Sequence, residues 1–438
     1  MNLQEDHPEL KGNWWDPRKP TEKWHGTLML KAGKPAKLDL IQYGEGKLQP
    51  SVNNPFEGCG IIHGTTGEGS AVTLSQCFAS SHSRSFGSEE VEVSAYQAIF
   101  GAHLSAKELV FDEVLVEFDY LNDWVTHSRY EQKNLNDGDD RSEIRIRLNP
   151  NYQIPFQAPG YTKSLFFLGY RTNSSKFRFS IESRSNLQIT YAKQLSLRHI
   201  LQELLQWTWF LTLATRHQTR LLRLSVHRHE VRFQLGAKSL KQPLDLWVAV
   251  AGKREKENAL HPPDMNFTLP DIEQNLSAVI SRWSEMQTQW AATLHRYFAT
   301  VHREGLRLPE EFLFRAQAIE ALHRGDSKMK KTTQREAYGE AWEKAPSALQ
   351  ARLGDKSAFV DSIRNNRNYL THYNPNDEEK ADDLAGLFEL SQKLGFLLEA
   401  VILNELGLPK SVIEGSFSSR RWGHLVNWDT AEEAKGDL

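Results

Sequence analysis

The stretch 187–217, LQITYAKQLSLRHILQELLQWTWFLTLATRH, contains the point at which the chain changes its hydrophobic period. Up to about residue 192, apolar and polar residues alternate, as is typical of a strand with one buried face. From residue 195 the apolar residues recur every three or four positions, which predicts a helix over about 195–217. A β-rich part therefore precedes this point, and a long helix follows it.

The residues before this helix predict an antiparallel β-rich domain. Short runs of alternating or β-branched residues are separated by Gly, Pro, Asn and Ser, without helices between them, which favours a sandwich or barrel over a parallel sheet. The segment 131–141, EQKNLNDGDDR, is interpreted as a polar loop. Strands are predicted near 25–31, 36–43, 60–64, 71–78, 91–103, 109–118, 144–148, 165–170, 176–182 and 187–192, and after the helix at 221–226, 230–235 and 244–250.

From residue 269 onward the pattern is helical. Helices are predicted over 269–303, 309–324, 358–373 and 382–406, with a polar segment at 325–357. Helices of this number and length favour a bundle. The predicted class is α+β: a sandwich-like β-rich domain over 1–265, an all-α bundle over 266–410 and a tail over 411–438.

Composition excludes several classes of protein. The chain has 438 residues, a net charge of −3 and two cysteines. No apolar run approaches the length of a membrane helix, and the acidic N-terminus lacks the apolar core of a secretory signal, so a cytoplasmic protein without a membrane partner is expected. Two cysteines do not provide a disulfide scaffold or a zinc ribbon, and no metal or cofactor is predicted.

The segment 364–372, RNNRNYLTH, carries a pattern suited to RNA cleavage. At 100° per residue the apolar residues form one stripe, while Arg364, Asn368 and His372 fall on the opposite side and Arg367 flanks them. Cleavage by the 2′-OH needs a base, an acid and a cation for the phosphoryl oxygens. Histidine titrates near neutrality, and arginine donates two hydrogen bonds to a phosphate.

This pattern alone does not establish catalysis. An arginine followed after four to six residues by a histidine also occurs at Arg223 and His229 and at Arg296 and His302. A solvated helix end favours both residue types through the helix dipole. The segment is thus compatible with an ordinary polar helix face.

The C-terminal region resembles an ApeA-like HEPN domain, a helical family with many metal-independent ribonucleases. The family motif of arginine, a polar residue and a histidine maps onto Arg367, Asn368 and His372. The segment 312–324, FLFRAQAIEALHR, resembles the first core helix, with Glu320 at the typical acidic position. The segments 14–28, WWDPRKPTEKWHGTL, and 60–74, GIIHGTTGEGSAVTL, resemble the ApeA N-terminal domain.

The resemblance implies an anti-phage factor that acts by abortive infection through metal-independent RNA cleavage. His372 is then the general base or acid, Arg367 the phosphate-binding cation and Asn368 an orienting group, with Arg364 supporting them from one turn earlier. Glu320 is interpreted as a helix-surface or dimer-contact residue rather than a proton donor. The expected partners are an RNA substrate, with tRNA as one candidate, a second copy bound through the HEPN domain, and a phage-encoded trigger.

Two alternatives remain open. The chain could be a HEPN protein without nuclease activity that acts as a regulatory or binding partner. The β-rich domain could instead be a carbohydrate- or peptide-binding module, with helices that only dimerise; Trp14, Trp15 and Trp24 are candidates for a stacking surface, although core positions are more typical.

Two basic segments are candidates for RNA contacts. The helical part has 17 Lys and Arg against 21 Asp and Glu over 270–406, so attraction of a polyanion must be local. The first segment, 324–335, contains Arg324, Lys328, Lys330, Lys331 and Arg335. The second, 196–262, has 11 Lys and Arg against 5 Asp and Glu. Its pair His227 and His229 offers half of a metal site, and the glycine-rich segment 64–69 lacks the lysine of a phosphate-binding loop.

Overall fold

The computed structural model describes residues 1–43, 56, 58–85, 88–127, 130–137, 141–148, 152–175, 178–236, 238–249, 259–302, 305–326 and 333–417. The strands within these ranges are β1 (Leu10–Trp15), β2 (Trp24–Met29), β3 (Ala36–Tyr43), β4 (Ile61–Thr66), β5 (Ala71–Ser85), β6 (Ser88–Phe100), β7 (Val110–Phe118), β8 (Tyr130–Asp137), β9 (Arg141–Leu148), β10 (Tyr152–Phe156), β11 (Tyr161–Ser175), β12 (Arg178–Ser196), β13 (Leu221–His227), β14 (Arg232–Leu235), β15 (Lys238–Lys241) and β16 (Leu244–Val248).

Twelve of these strands form one antiparallel sheet in the order β10-β11-β12-β7-β13-β16-β6-β3-β2-β1-β4-β5. Because β5 also pairs with β6, strands β1 to β6 close into a barrel, and the other six strands continue from it as an open sheet. The pairs β8–β9 and β14–β15 form separate two-stranded sheets. The predicted antiparallel β-rich domain is confirmed, and its first half takes the form of a barrel.

The indole of Trp14 occupies the space beside two glycines of the barrel wall, Gly26 and Gly64. It is fully buried and donates from Nε1 to the Gly26 carbonyl (3.3 Å). A Cβ on Gly64, which pairs with Trp14 across β1 and β4, would lie 2.1 Å from the ring, so only glycine fits there. The glycine-rich segment is thus a hairpin between β4 and β5, with Gly69 at a φ of 84° in the turn.

The helices are α1 (Leu121–Val125), α2 (Leu197–Thr215), α3 (Leu269–Ile272), α4 (Leu276–Gln289), α5 (Ala291–His302), α6 (Leu308–Asp326), α7 (Gln334–Lys344), α8 (Ser347–Leu353), α9 (Lys356–His372), α10 (Pro375–Glu378), α11 (Leu384–Glu405) and α12 (Lys410–Ser416). The predicted change from strands to a helical region is confirmed. None of the helices in the described ranges has the length and apolar character needed to cross a membrane.

Helix α2 joins the two parts of the molecule. Its N-terminus is capped by Ser196, and on its side toward the sheet Trp207 packs edge-on against Phe166 of β11. On the helical side, Trp283 of α4 donates from Nε1 to the Gln206 carbonyl (3.1 Å). The buried apolar side chains therefore form one continuous core across both parts.

Helix α6 lies at the centre of the helical part, in contact with α5, α7, α9 and α11. Two predictions in this part were wrong. The predicted single helix over 269–303 is interrupted twice. One interruption precedes α4, and at the other Trp290 separates α4 from α5. The polar segment 325–357 contains α7 and α8; α7 begins at a capping box of Thr333 and Glu336 and buries only a narrow face, so its apolar pattern is weak.

The segment 131–141 was also wrongly interpreted as a loop. Residues 131–137 form most of β8 and Arg141 begins β9, and the two strands pair in register from Tyr130 opposite Leu148 to Asp137 opposite Arg141. Residues 138–140 lie outside the described part of the chain. Strand β8 lies outside the main sheet, and residues 131–137 lack the alternation of apolar and polar residues that predicts a half-buried strand. The strand predicted at 144–148 lies within β9.

Candidate active site

Helix α9 carries the residues that the sequence predicts for catalysis. Asp355 caps its N-terminus by accepting a hydrogen bond from the Ala358 backbone N–H (2.9 Å). Phe359 and Ile363 bury one face, which fixes the rotation of the helix against the bundle. The helix ends at His372, because Tyr373 adopts a left-handed φ of 48°. Sequence and packing together therefore place the predicted residues near one helix end.

Arg367 is held by a buried carboxylate of α6. Its Nε donates to Glu320 Oε1 (3.1 Å), and the Glu320 side chain is only 6% exposed. The Tyr338 hydroxyl of α7 donates to the same Oε1 (2.7 Å), while Arg324 Nη2 lies 3.0 Å from Oε2. The interpretation of Glu320 as a helix-surface residue was wrong, because its carboxylate receives donors from α6, α7 and α9.

The neighbours of Arg367 fix the direction of its guanidinium. The Gln334 side-chain carbonyl, in the orientation that satisfies both groups, accepts from Nε (3.1 Å) and Nη1 (3.2 Å). Within the described residues no partner contacts Nη2, and the side chain is 18% exposed. Burial raises the pKa of Tyr338, and the Glu320 charge raises it further, so the hydroxyl remains a neutral donor. The arrangement leaves one edge of the guanidinium directed away from Glu320.

His372 differs from Arg367 in exposure. It lies in the last turn of α9 with its side chain exposed, and no hydrogen bond or ion pair to another described residue fixes it. Residues five apart on an α-helix are separated by about 7.5 Å along the axis and about 140° around it. A single chain thus brings both residues to one helix end but not onto one face. Asn368 lies between them and is half-buried.

The predicted cations near α9 are partly neutralised. Arg335 of α7 forms an ion pair with Asp361, and Arg364 Nη1 lies 3.9 Å from the same carboxylate. Both arginines remain substantially exposed, at 56% and 41%. One acidic residue therefore lowers the net positive charge that these two side chains present to an RNA. The residues Lys328, Lys330 and Lys331 lie outside the described part of the chain.

The second basic segment does not form a uniform cationic surface. Arg223 lies 3.6 Å from Glu117, and Arg228 pairs with Glu230 and donates to the Glu108 carbonyl. The guanidinium of Arg232 donates to Ser239. Glu117 lies on β7, outside the counted segment, so the count along the sequence could not include this neighbour.

The sequence did not predict the role of Asn366. This side chain is 1% exposed, accepts from the Asp382 backbone N–H (3.0 Å) and donates to the Asp382 carboxylate (2.7 Å). It fastens α9 to the segment that enters α11. Asn365, Asn366 and Asn368 are the same residue type, so residue type alone does not predict which of them is buried. The one available signal is that Asn366 lies three residues after Ile363, on the apolar side of α9.

The other candidates have structural explanations. His229 of the predicted half-site lies beside two carboxylates, Asp112 and Glu230. Both Glu230 oxygens, however, already contact Arg228, and the Gln194 amide lies 3.1 Å from the His229 Nδ1. The tryptophans at 14, 15 and 24 are buried, so they do not form a stacking surface.

Comparison with known protein families agrees with the two-part structure. Residues 9–283 match the family described as ApeA N-terminal domain 1, and residues 313–412 match the family described as Apea-like HEPN. No curated protein and no solved structure matches the chain. The second match contains α9 and most of α6, and hence the contact between Arg367 and Glu320. Since the first match alone covers more than half of the chain, the protein belongs to the ApeA family of anti-phage HEPN nucleases.

Proposed function

We propose that this protein is a metal-independent endoribonuclease of anti-phage defence, with Arg367 and His372 as its catalytic residues. His372 transfers protons to or from the 2′-OH and the leaving 5′ oxygen. Arg367 binds the phosphate and stabilises the charge that develops on its oxygens. Asn368 orients the phosphate or the histidine, and Arg364 adds a positive charge from one turn earlier.

The observation that carries this proposal is the hydrogen bonding of Arg367. A guanidinium bound through Nε by a buried carboxylate is fixed in direction, and its Nη2 is left without a partner among the described residues. Such a preorganised donor needs little rearrangement when charge develops on a phosphate. An arginine with a purely structural role would have its whole guanidinium enclosed by protein acceptors.

The proposed enzyme acts as a homodimer through its HEPN domain. In-line cleavage needs both a base and an acid, whereas one chain supplies a single histidine at this helix end. A twofold axis beside α9 brings two copies of the site together. Exposed apolar side chains flank the site: Tyr373 follows α9, and Leu384 and Phe388 lie one turn apart at the start of α11. These side chains suit a protein interface.

The dimer proposal predicts the effect of charging this apolar surface. Leu384→Glu, at a side chain that is 72% exposed, is expected to halve the particle mass from twice 50.2 kDa and to abolish cleavage. Light scattering at micromolar concentration and an RNA cleavage assay measure both. Leu235→Glu, at an exposed apolar residue of β14, serves as the matched control. A fully active wild-type monomer would contradict the proposal.

The proposal includes the partners and location predicted from the sequence. The substrate is RNA, with tRNA as one candidate, and Lys328, Lys330, Lys331 and Arg335 contact its phosphates. The N-terminal domain senses a phage-encoded trigger or restrains the nuclease. The site of action is the cytoplasm, in keeping with Cys59 and Cys77, which are unpaired with each other. No metal takes part in the proposed reaction.

A regulatory protein without nuclease activity is the second candidate function. It is favoured by the divergence of Arg367 and His372 around α9 and by the two acceptors that already hold Arg367 Nε. Loss of cleavage on mutation of His372 distinguishes the two candidates, since a binding module has no cleavage to lose.

A further inference from the structure

Two tyrosines form an aromatic pair at the end of α9. The ring centroids of Tyr369 and Tyr373 lie 5.7 Å apart and the ring planes are inclined by 64°, which is an edge-to-face contact. Tyr373 is 64% exposed, and Tyr369 is half-buried. The Tyr373 backbone N–H donates to the Tyr369 carbonyl (2.6 Å), so the end of the helix holds the two residues together. A pair of rings, one of them open to solvent, thus lies next to His372 in the chain.

The backbone at Tyr373 is unusual for a residue with a large side chain. Its φ of 48° and ψ of 38° lie in the left-handed region, where a Cβ is strained and where glycine is the usual residue after a helix. Packing of the side chain could compensate for this strain, but most of the surface of Tyr373 is exposed. Strain kept at an exposed aromatic residue points to a contact with another molecule.

The tyrosine pair and the catalytic arginine lie on opposite sides of His372. On an ideal α-helix, Tyr369 lies about 60° around the axis from His372, and Arg367 lies about 140° from it in the other direction. The Tyr369 hydroxyl donates a hydrogen bond to the Glu378 carboxylate of α10, which places a negative charge on the tyrosine side. A phosphate is therefore favoured on the arginine side, and a neutral group is favoured on the tyrosine side.

We propose that Tyr369 and Tyr373 bind an unpaired RNA base next to the phosphate that Arg367 holds. This inference rests on the proposed ribonuclease function and adds a base-binding position to the same site. Nucleobases are neutral, and unpaired bases stack on exposed aromatic side chains of RNA-binding proteins. Tyr373 offers the open ring face, and Tyr369 supports that ring from its edge. A base stacked inside a duplex has no free face, so this contact favours single-stranded RNA.

A second copy of the chain is the competing occupant of the Tyr373 ring. The two occupants differ in the side chain that they need. A protein interface is served equally well by an aliphatic side chain, as Leu384 and Phe388 on α11 illustrate with one residue of each kind. Stacking on a base instead requires a ring at position 373, because the base contacts a flat π-face.

RNA binding by the full-length His372→Ala variant tests this inference without cleavage of the probe. Fluorescence anisotropy compares an oligouridylate with an oligomer of the same length and phosphates that lacks the bases. Because both probes carry the same charge, the ratio of their dissociation constants reports contacts to bases. The oligouridylate is expected to bind about 5- to 100-fold more tightly, the usual effect of one base stacked on an aromatic side chain.

Variants of Tyr373 in the same background locate the contact. Tyr373→Gly is expected to remove the difference between the probes and to change thermal stability little, because glycine fits the left-handed backbone. Tyr373→Phe is expected to keep the difference, and Tyr373→Leu is expected to lose it. Tyr96→Ala is the matched control, since Tyr96 is 48% exposed and forms a similar ring pair with Phe78 on the barrel.

Three results would overturn the inference: equal binding of the two probes by the His372→Ala variant, an undiminished difference in Tyr373→Gly, or a halved particle mass in Tyr373→Gly. The last result would assign Tyr373 to the contact between two copies of the chain. Failure of the nuclease proposal is detected separately, as absence of RNA cleavage by the wild-type protein. The ratio of dissociation constants still decides in that case whether the tyrosines bind a base.

Discussion

Replacing His372 by alanine is expected to reduce RNA cleavage by about 10²- to 10⁴-fold, the usual contribution of general acid–base catalysis. The side chain is exposed at the end of α9, so the free energy of unfolding is expected to change by no more than about 0.5 kcal/mol. Cleavage rates under single-turnover conditions and thermal unfolding measure the two effects. His261→Ala, at an exposed histidine that precedes the helical part, is the matched control.

The same assay separates the charge of Arg367 from its shape. Arg367→Ala is expected to lose activity as severely as His372→Ala, and Arg367→Lys is expected to restore little of it. A lysine supplies a point charge, but it cannot hydrogen bond to Glu320 and a phosphate through two edges of one planar group. Unchanged cleavage in His372→Ala or in Arg367→Ala would refute the assignment of catalytic residues.

Replacing Glu320 by glutamine is expected to lower cleavage about 10- to 100-fold through the direction of Arg367. Glu320 touches no substrate in this proposal and is a positioning residue. The change removes a charge from a buried site that receives Arg367 Nε and the Tyr338 hydroxyl, so a loss of stability of about 1–3 kcal/mol accompanies it. Glu310→Gln, at an exposed glutamate of the same helix, is expected to alter neither quantity.

A double-mutant cycle distinguishes positioning from a general loss of stability. If Glu320 acts through Arg367, then Glu320→Gln costs no further activity in the Arg367→Ala background. Additive losses of activity in the double variant would show that Glu320 acts independently of Arg367. Measuring RNA affinity and the cleavage step separately adds a second readout, because misdirection of the arginine slows cleavage more than it weakens binding.

The strong periodic patterns were sufficient to predict the architecture. Helices α2, α6, α9 and α11 were predicted because each buries a wide apolar stripe, and the antiparallel strands because their faces alternate. Helix α7 and strand β8 were missed for the opposite reason. Neither has a large apolar face, and their structure depends on a capping box and on strand pairing.

The candidate site was predictable only where one helix carries it. Arg367, Asn368 and His372 lie within six residues, so their common helix end follows from the sequence. The support from Glu320 and Tyr338 does not, because three separate helices bring these groups together. Tyr338 also lies in the segment interpreted as polar, where no apolar stripe indicated a buried side.

The central claim is that RNA is cleaved by its own 2′-OH without a metal ion, and the most direct measurement is the chemistry of the product ends in EDTA. The wild-type protein is expected to cleave RNA in EDTA as fast as in magnesium, leaving 2′,3′-cyclic phosphates on one fragment and 5′-hydroxyls on the other. Strict dependence on an added divalent cation, or products with 5′-phosphates and 3′-hydroxyls, would contradict the account.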